Sequence, residues 1–334
     1  MKLTAYKLYF EGALHISDAR SDYGKSESML HSDALYAALL AIQGQLSDTV
    51  NADLGCTISS LFPFTKAENG TTVYFFPKPM VQLQTYLENE YDDIKKLKRV
   101  EWLDKTYFEE MLEGAFNSPI NSQTVQGSFL SAEKIDKEFM YSQVMPRVEV
   151  LRSAEENEGK TNIFYIDRTY FKEGSGLYFM VSGDTTELEK LLNVLQDEGI
   201  GTARNVGFGH FHFERLDDFH LSIPTESNYA LSLSLFNPEN EDLIQEFTSG
   251  EHAAWEILKR GGWMTSSGNV GVRKKSVYMF REGSIFSNTV TEVTALGQVN
   301  IDLKPDDSEG FTPPEHPVWR SGRALFLPIK MHRS

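Results

Sequence analysis

Cysteine is nearly missing from this sequence. Cys56 is the only one in 334 residues, which excludes an intramolecular disulfide framework and a zinc ribbon. A lone thiol suits a reducing compartment, where it acts as a small hydrophobe. Long apolar runs are absent too: no stretch approaches the ~20 residues a membrane span needs. Residues 1–7 alternate polar and apolar side chains without the apolar core of a signal peptide. The expectation is a soluble cytoplasmic protein with no membrane partner. Basic residues are in deficit, with 32 Lys plus Arg against 48 Asp plus Glu and a formal net charge of −16. That acidity opposes indiscriminate binding to duplex DNA or anionic membranes.

What is present is a globular balance of 40% apolar and 24% charged residues, enough for a substantial core. Residues 3–10 read as a strand, followed by a polar stretch at 15–28. Ser32 or Asp33 is placed to cap a helix carrying Leu35, Leu39, Ile42 and Leu46 at helical spacing. Val73 to Phe76 form a strand ending at Pro77, and residues 86–113 read as helices with charged outer faces. After an irregular middle, residues 177–181 resume as a strand. Thr185 is placed to cap a helix with Leu188, Leu191, Leu192 and Leu195 on one face, and Gly199 stops it. The tail offers strands at 229–236, 277–280, 299–303 and 324–329, and a helix over an acidic stretch that includes Trp255, Ile257 and Leu258. With the middle treated as an insertion, the first 215 residues reduce to β–α–β, insert, β–α–β, the split arrangement of ferredoxin-like folds.

The most informative segment runs from Gly199 to Phe211, with four glycines besides Arg204 and Asn205. A dinucleotide fingerprint needs strand, glycines, helix, and here the order is reversed. The segment also lacks the Gly-Lys-Ser/Thr of a Walker loop. Two readings stay open: a helix stop with an ordinary turn, or a loop whose amides cradle a nucleic-acid backbone while Arg204 pairs with a phosphate. His210 and His212 share a strand face, but no third ligand has suitable spacing, so no metal or other cofactor is expected.

Taken with further segments along the chain, this loop resembles the RAMP proteins of type III CRISPR systems, and more narrowly subunit four of the type III-A Csm effector complex. The matching blocks are Leu14-His15-Ile16 with residues 30–35, Ser60-Leu61-Phe62-Pro63-Phe64 and Tyr74-Phe75-Phe76-Pro77-Lys78-Pro79. They continue with Ile166-Asp167-Arg168, Gly176-Leu177-Tyr178, Gly261-Gly262-Trp263, Arg273-Lys274-Lys275, residues 279–284 and His316-Pro317-Val318. The family often has glycine where Ser17 stands, and a second glycine and a lysine where Thr202 and Ala203 stand.

The resemblance implies an α+β fold of two ferredoxin-like (RRM-like) domains, residues 1–218 and 219–334. The first would carry the glycine-rich loop and a thumb-like insertion at about 83–165. It implies a non-catalytic, RNA-binding subunit that holds the 5′ tag of the CRISPR RNA, docks the large polymerase-like Csm subunit and stacks on a backbone RAMP subunit, in antiviral defence. The implied RNA contacts are His15, Ser17, Arg20, His31, Ser32, Arg147, Arg152, Arg168, Gly201, Arg204, Asn205, Gly207, Gly209, Arg260, Arg273, Lys274 and Lys275. For His31 and Ser32 plain helix capping is the competing reading, and for residues 273–275 a solvated hairpin tip. Phe75, Phe76, Tyr178 and Phe179 are expected in the core rather than as stacking platforms. Two other functions remain open: a metal-independent ribonuclease that processes CRISPR transcripts, using His15 or His31 with Arg204, and a protein scaffold without RNA contact. The charge does not exclude RNA, because residues 252–281 hold six bases and one acid, and residues 318–334 four bases and no acid.

Overall fold

The computed structural model describes residues 2–17, 24–81, 91–115, 117–149, 162–264, 272–287, 292–307 and 312–331. Arg20 and Arg152 lie outside them. The chain opens with β1 (Lys2–Phe10) and α1 (Ser32–Leu46), followed by β2 (Cys56–Ile58), β3 (Phe62–Lys66) and β4 (Thr72–Pro77). Next come α2 (Tyr91–Lys98), β5 (Trp102–Asp104), α3 (Lys105–Leu112), β6 (Val125–Gln126) and β7 (Phe129–Leu130). A long ribbon of β8 (Met140–Glu149) and β9 (Asn162–Phe171) leads to β10 (Gly176–Gly183), α4 (Thr186–Glu198) and β11 (Phe211–His220). These elements build a sheet in the order β11-β1-β10-β3-β4-β5-β7-β6, with β2 also on β10. Its first four strands pair antiparallel throughout.

The two-residue period of strands explains the layering. On β1, Tyr6 and Leu8 face α1 and α4, where they meet Leu35, Leu39, Leu188 and Leu192. Leu3 and Ala5 face the other way, as do Tyr178 and Met180 of β10. That second face packs on a smaller sheet, ordered β15-β12-β19-β16, built from β12 (Tyr229–Ser232), β15 (Ile285–Phe286), β16 (Thr294–Leu296) and β19 (Ala324–Ile329). Leu231, Leu325 and Leu327 join the shared core, whereas Ala230 and Phe326 turn to α5 (Glu241–Thr248) and its Phe247. One apolar core therefore joins the two sheets. Phe75, Phe76, Tyr178 and Phe179 are all fully buried.

Several sequence expectations are corrected. Trp255, Ile257 and Leu258 are not helical: the helix is α5, capped by the Asn240 side chain on the Leu243 amide at 3.0 Å. Ile257 and Leu258 lie on β13 (Ile257–Arg260), which pairs with β14 (Val277–Phe280), because residues 257–260 alternate outward and inward with period two. The strand expected at 229–236 ends at Ser232. That at 299–303 shrinks to β17 (Ile301–Asp302), paired with β18 (Trp319–Arg320). Neither Ser32, Asp33 nor Thr185 caps its helix by side chain. His31 and Thr185 occupy the cap positions without a side-chain bond, and the Ser32 amide donates to Ser60 Oγ at 2.8 Å. Leu46 points to solvent.

Candidate nucleic-acid interface

The glycine loop leaves α4 at Gly199 and returns into β11 through a single 3₁₀ turn, Arg204–Val206. Gly199, Gly201, Gly207 and Gly209 all have positive φ, and Ala203, at +60°, is the only non-glycine among the described residues that does. At Gly209 the backbone approach is decisive. A Cβ there would lie 1.9 Å from the Ile200 carbonyl oxygen, so no other residue fits. The loop is stitched to the opening segment: Gly209 N donates to the Ala13 carbonyl at 2.8 Å and Thr202 N to the His15 carbonyl at 2.9 Å. Arg204 is thereby held half-buried, while Asn205, Val206 and Gly207 are exposed.

Phe208 anchors the loop. Its ring is buried with Ala13 and Ile166, and the guanidinium groups of Arg147 on β8 and Arg168 on β9 each lie 5.2 Å from its centroid. Cross-strand register explains this convergence, because Arg147 pairs with Phe164 and Gln143 with Arg168, which puts both arginines on one face of the ribbon. His15 is fully buried, its Nδ1 2.8 Å from the Asp167 carbonyl oxygen. Burial lowers its pKa below the ordinary 6.5, with the Asp167 carbonyl opposing. Asp167 in turn accepts from Ser142 and, at 3.0 Å, from the Ser26 amide. The structure thus brings His15, Arg147, Arg168, Gly201, Arg204, Asn205, Gly207 and Gly209 to one place, with Ser17 at the end of the same opening segment.

His31, Ser32 and Arg260 form a different assembly at the start of α1, inside the protein. His31 Nδ1 lies 2.9 Å from Glu282 Oε1, and His31 Nε2 lies 3.0 Å from Glu27 Oε2. Burial opposes the imidazolium charge, but the two carboxylates outweigh it and raise the His31 pKa to about 9. Glu282 also accepts from Ser60, and Ser32 Oγ accepts from the Leu235 amide at 3.0 Å. Asp33, fully buried, takes a bidentate pair from Arg260, at 3.0 Å to each oxygen. Arg320 reaches the Asp33 carbonyl at 3.0 Å. Against the cost of burial, these arginines hold the Asp33 pKa at about 2. Lys274 sits beside them, and burial together with Arg320 lowers its pKa to about 8.

Arg273 and Lys275 lie apart from both groups, on the hairpin after β13. Arg273 covers the Trp263 ring at 4.7 Å, and Lys275 pairs with Asp306 at 2.6 Å. Phe208, Asp33, Glu282 and Arg320 are not among the site residues the sequence suggests, Asp33 being only a cap candidate there. Asp33 and Glu282 had a usable signal, an acid beside His31 and another beside Arg281, but neither reveals a partner more than 200 residues away.

Residues 225–329 match a family model described as the CRISPR Csm4 C-terminal domain. The chain is 28% identical over 271 residues to the CRISPR system Cms protein Csm4 of Thermococcus onnurineus, covering 76% of this chain and 79% of that relative. To the protein of the same name from Streptococcus thermophilus it is 23% identical over 339 residues, covering 98% and 99%. Among solved structures, a chain of the Csm3-Csm4 subcomplex of a type III-A CRISPR-Cas interference complex superposes with TM-score 0.60 at 19% identity, covering 99% of this chain and 100% of that one. A chain of the Csm1-Csm4 cassette in complex with cA4 gives TM-score 0.55 at 19% identity over the full length of both. At that identity the structural likeness speaks to fold alone. No helix among the described residues is long and apolar enough to cross a membrane.

Proposed function

We propose that this chain is a Csm4-like RAMP protein, a non-catalytic subunit of a cytoplasmic type III-A CRISPR ribonucleoprotein. It holds the 5′ tag of the CRISPR RNA and docks the large polymerase-like subunit on one side and a backbone RAMP subunit on the other, in antiviral defence. In this reading the β11-β1-β10-β3 order is the first ferredoxin-like domain, a second begins near residue 219, and the β8–β9 ribbon belongs to the thumb-like insertion.

The observation that carries the RNA part is the meeting of Arg147, Arg168 and Arg204 at one glycine-rich loop on a chain of net charge −16. Single-stranded RNA needs a backbone held by arginine or amides beside unpaired bases. The burial of His15 and His31 supports the non-catalytic reading. A ribonuclease base must reach a 2′-hydroxyl, whereas one imidazole is fully enclosed and the other is locked between two carboxylates.

The test is purification of the assembled complex, followed by ultraviolet crosslinking and mass spectrometry. Crosslinks to the tag at residues 201–209 are expected. An intact complex whose RNA crosslinks nowhere near Arg204 favours the scaffold reading instead. Loss of precursor cleavage with retained binding in a His15→Ala, His31→Gln double variant would overturn the non-catalytic assignment.

A further inference from the structure

The β13–β14 ribbon belongs to neither main sheet and turns one face inward and one outward. Opposite residues of an antiparallel pair share a face: Lys259 and Tyr278 look out, Leu258 and Met279 look in, and at the end of the ribbon Ile257 is exposed while its partner Phe280 packs into the core. Trp255 lies just before the ribbon's first strand, and Trp263, bridged to Arg273, lies just past it. Trp255 is 44% exposed, Ile257 48%, Trp263 44% and Tyr278 59%. Four large apolar side chains are thus exposed on or beside one ribbon. A patch of this kind marks an interaction surface, since folding leaves its rings half wet.

The charges on it identify the partner. Lys259 Nζ lies 5.8 Å from the Tyr278 centroid, and the Arg273 guanidinium 4.7 Å from that of Trp263. Of the acids beside it, Glu256 is held by Arg281 at 3.2 Å and Asp306 by Lys275 at 2.6 Å. Cations beside exposed rings, within a segment of net +5 on an acidic chain, complement a ligand with flat bases and a phosphate at each step. Successive outward side chains repeat about every 6.6 Å along a strand, which spaces the rings for unstacked nucleotides rather than a duplex.

We propose that this outer face is a second RNA surface, on which Trp255, Trp263 and Tyr278 stack bases of single-stranded RNA while Lys259 and Arg273 contact the intervening phosphates. It rests on the reading of the chain as an RNA-binding subunit and adds a site remote in sequence from the glycine loop. Trp102 is buried, and Trp319 is half-buried against the helical core. Quenching of tryptophan fluorescence by a bound ligand therefore reports mainly on Trp255 and Trp263.

The experiment titrates the full chain with a twelve-nucleotide oligouridine RNA, reading fluorescence and affinity across a salt series. Quenching is expected at saturation. Tyr278→Ala and Trp263→Ala each weaken binding by about five- to tenfold, and Tyr278→Phe restores it, because stacking needs the ring and not the hydroxyl. Lys259→Ala and Arg273→Ala each lower the salt slope by about 0.7. Arg204→Ala weakens affinity but leaves the quench at saturation. Ribbon variants that bind RNA like the parent, while Arg204→Ala loses affinity, overturn this surface and leave the functional reading standing. Ribbon variants that keep RNA but release the large subunit assign the face to protein and overturn the proposal too. No RNA binding by the parent chain, alone or in the assembled complex, removes both.

Discussion

His31 and Glu282 meet at 2.9 Å inside the protein, joining the start of the first helix to a turn 251 residues later. Together with Asp33 and Arg260, this pair fastens the C-terminal segments onto the N-terminal sheet. The fastening is electrostatic as well as apolar, and its members titrate at different pH values.

The His31 pair makes stability fall at alkaline pH. The imidazole titrates near 6.5 when exposed and near 9 in the folded protein, where it faces Glu27 and Glu282, with Arg260 opposing. Its contribution is complete below pH 6.5 and is lost as pH rises through 9. Urea unfolding at about pH 6 and about pH 10 measures the difference. In Glu282→Gln the 6.5–9 decline flattens and the chain is destabilised by about 3–5 kcal/mol, as expected for a charge left buried without its partner. An unchanged decline would contradict the assignment.

Asp33 acts at the acid end. Its pKa of about 2 in the folded protein, against an ordinary 3.8, gives a contribution present above 3.8 and lost as pH falls through about 2. Asp33→Asn leaves Arg260 and Arg320 buried without their anion and costs about 3–5 kcal/mol near neutral pH. Differential scanning calorimetry reads the loss directly.

Two glycines of one loop separate backbone strain from crowding. Gly207→Ala forces a side chain into φ +86° but meets no atom within 4 Å, so it costs about 1 kcal/mol. Gly209→Ala, at φ +75°, also drives a Cβ into the Ile200 carbonyl, and soluble folded protein is expected to be lost. Equal melting temperatures for the two variants would refute this account.

Phe208→Ala removes the ring that Arg147 and Arg168 both approach and opens a cavity beside Ala13 and Ile166. A loss of about 3–5 kcal/mol is expected, as for other buried phenylalanines. Protease sensitivity at the 203–208 turn should rise with it. Protection unchanged from the parent chain would show that Phe208 does not anchor the loop.

The sequence alone determined the local pieces. Leu35, Leu39 and Ile42, and likewise Leu188, Leu191 and Leu195, fix two helices by their spacing, and alternation in residues 3–10 fixes a central strand. Four glycines marked the loop because its backbone needs dihedrals that other residues resist. Where local signals compete, spacing misleads: Ile257 and Leu258 beside an acidic stretch resemble a helix, although strand pairing with Val277–Phe280 decides their conformation. Only the tertiary structure decided which polar residues face inward. His31, Ser32 and Arg260 carried the same signal as Arg204, since each is a polar side chain beside a turn or helix end. What separates them is Glu282 and Asp33, acids placed by the packing of one sheet on another. Ion pairing at a distance of more than 200 residues leaves no trace in spacing or composition, because it depends on the folded path of the chain.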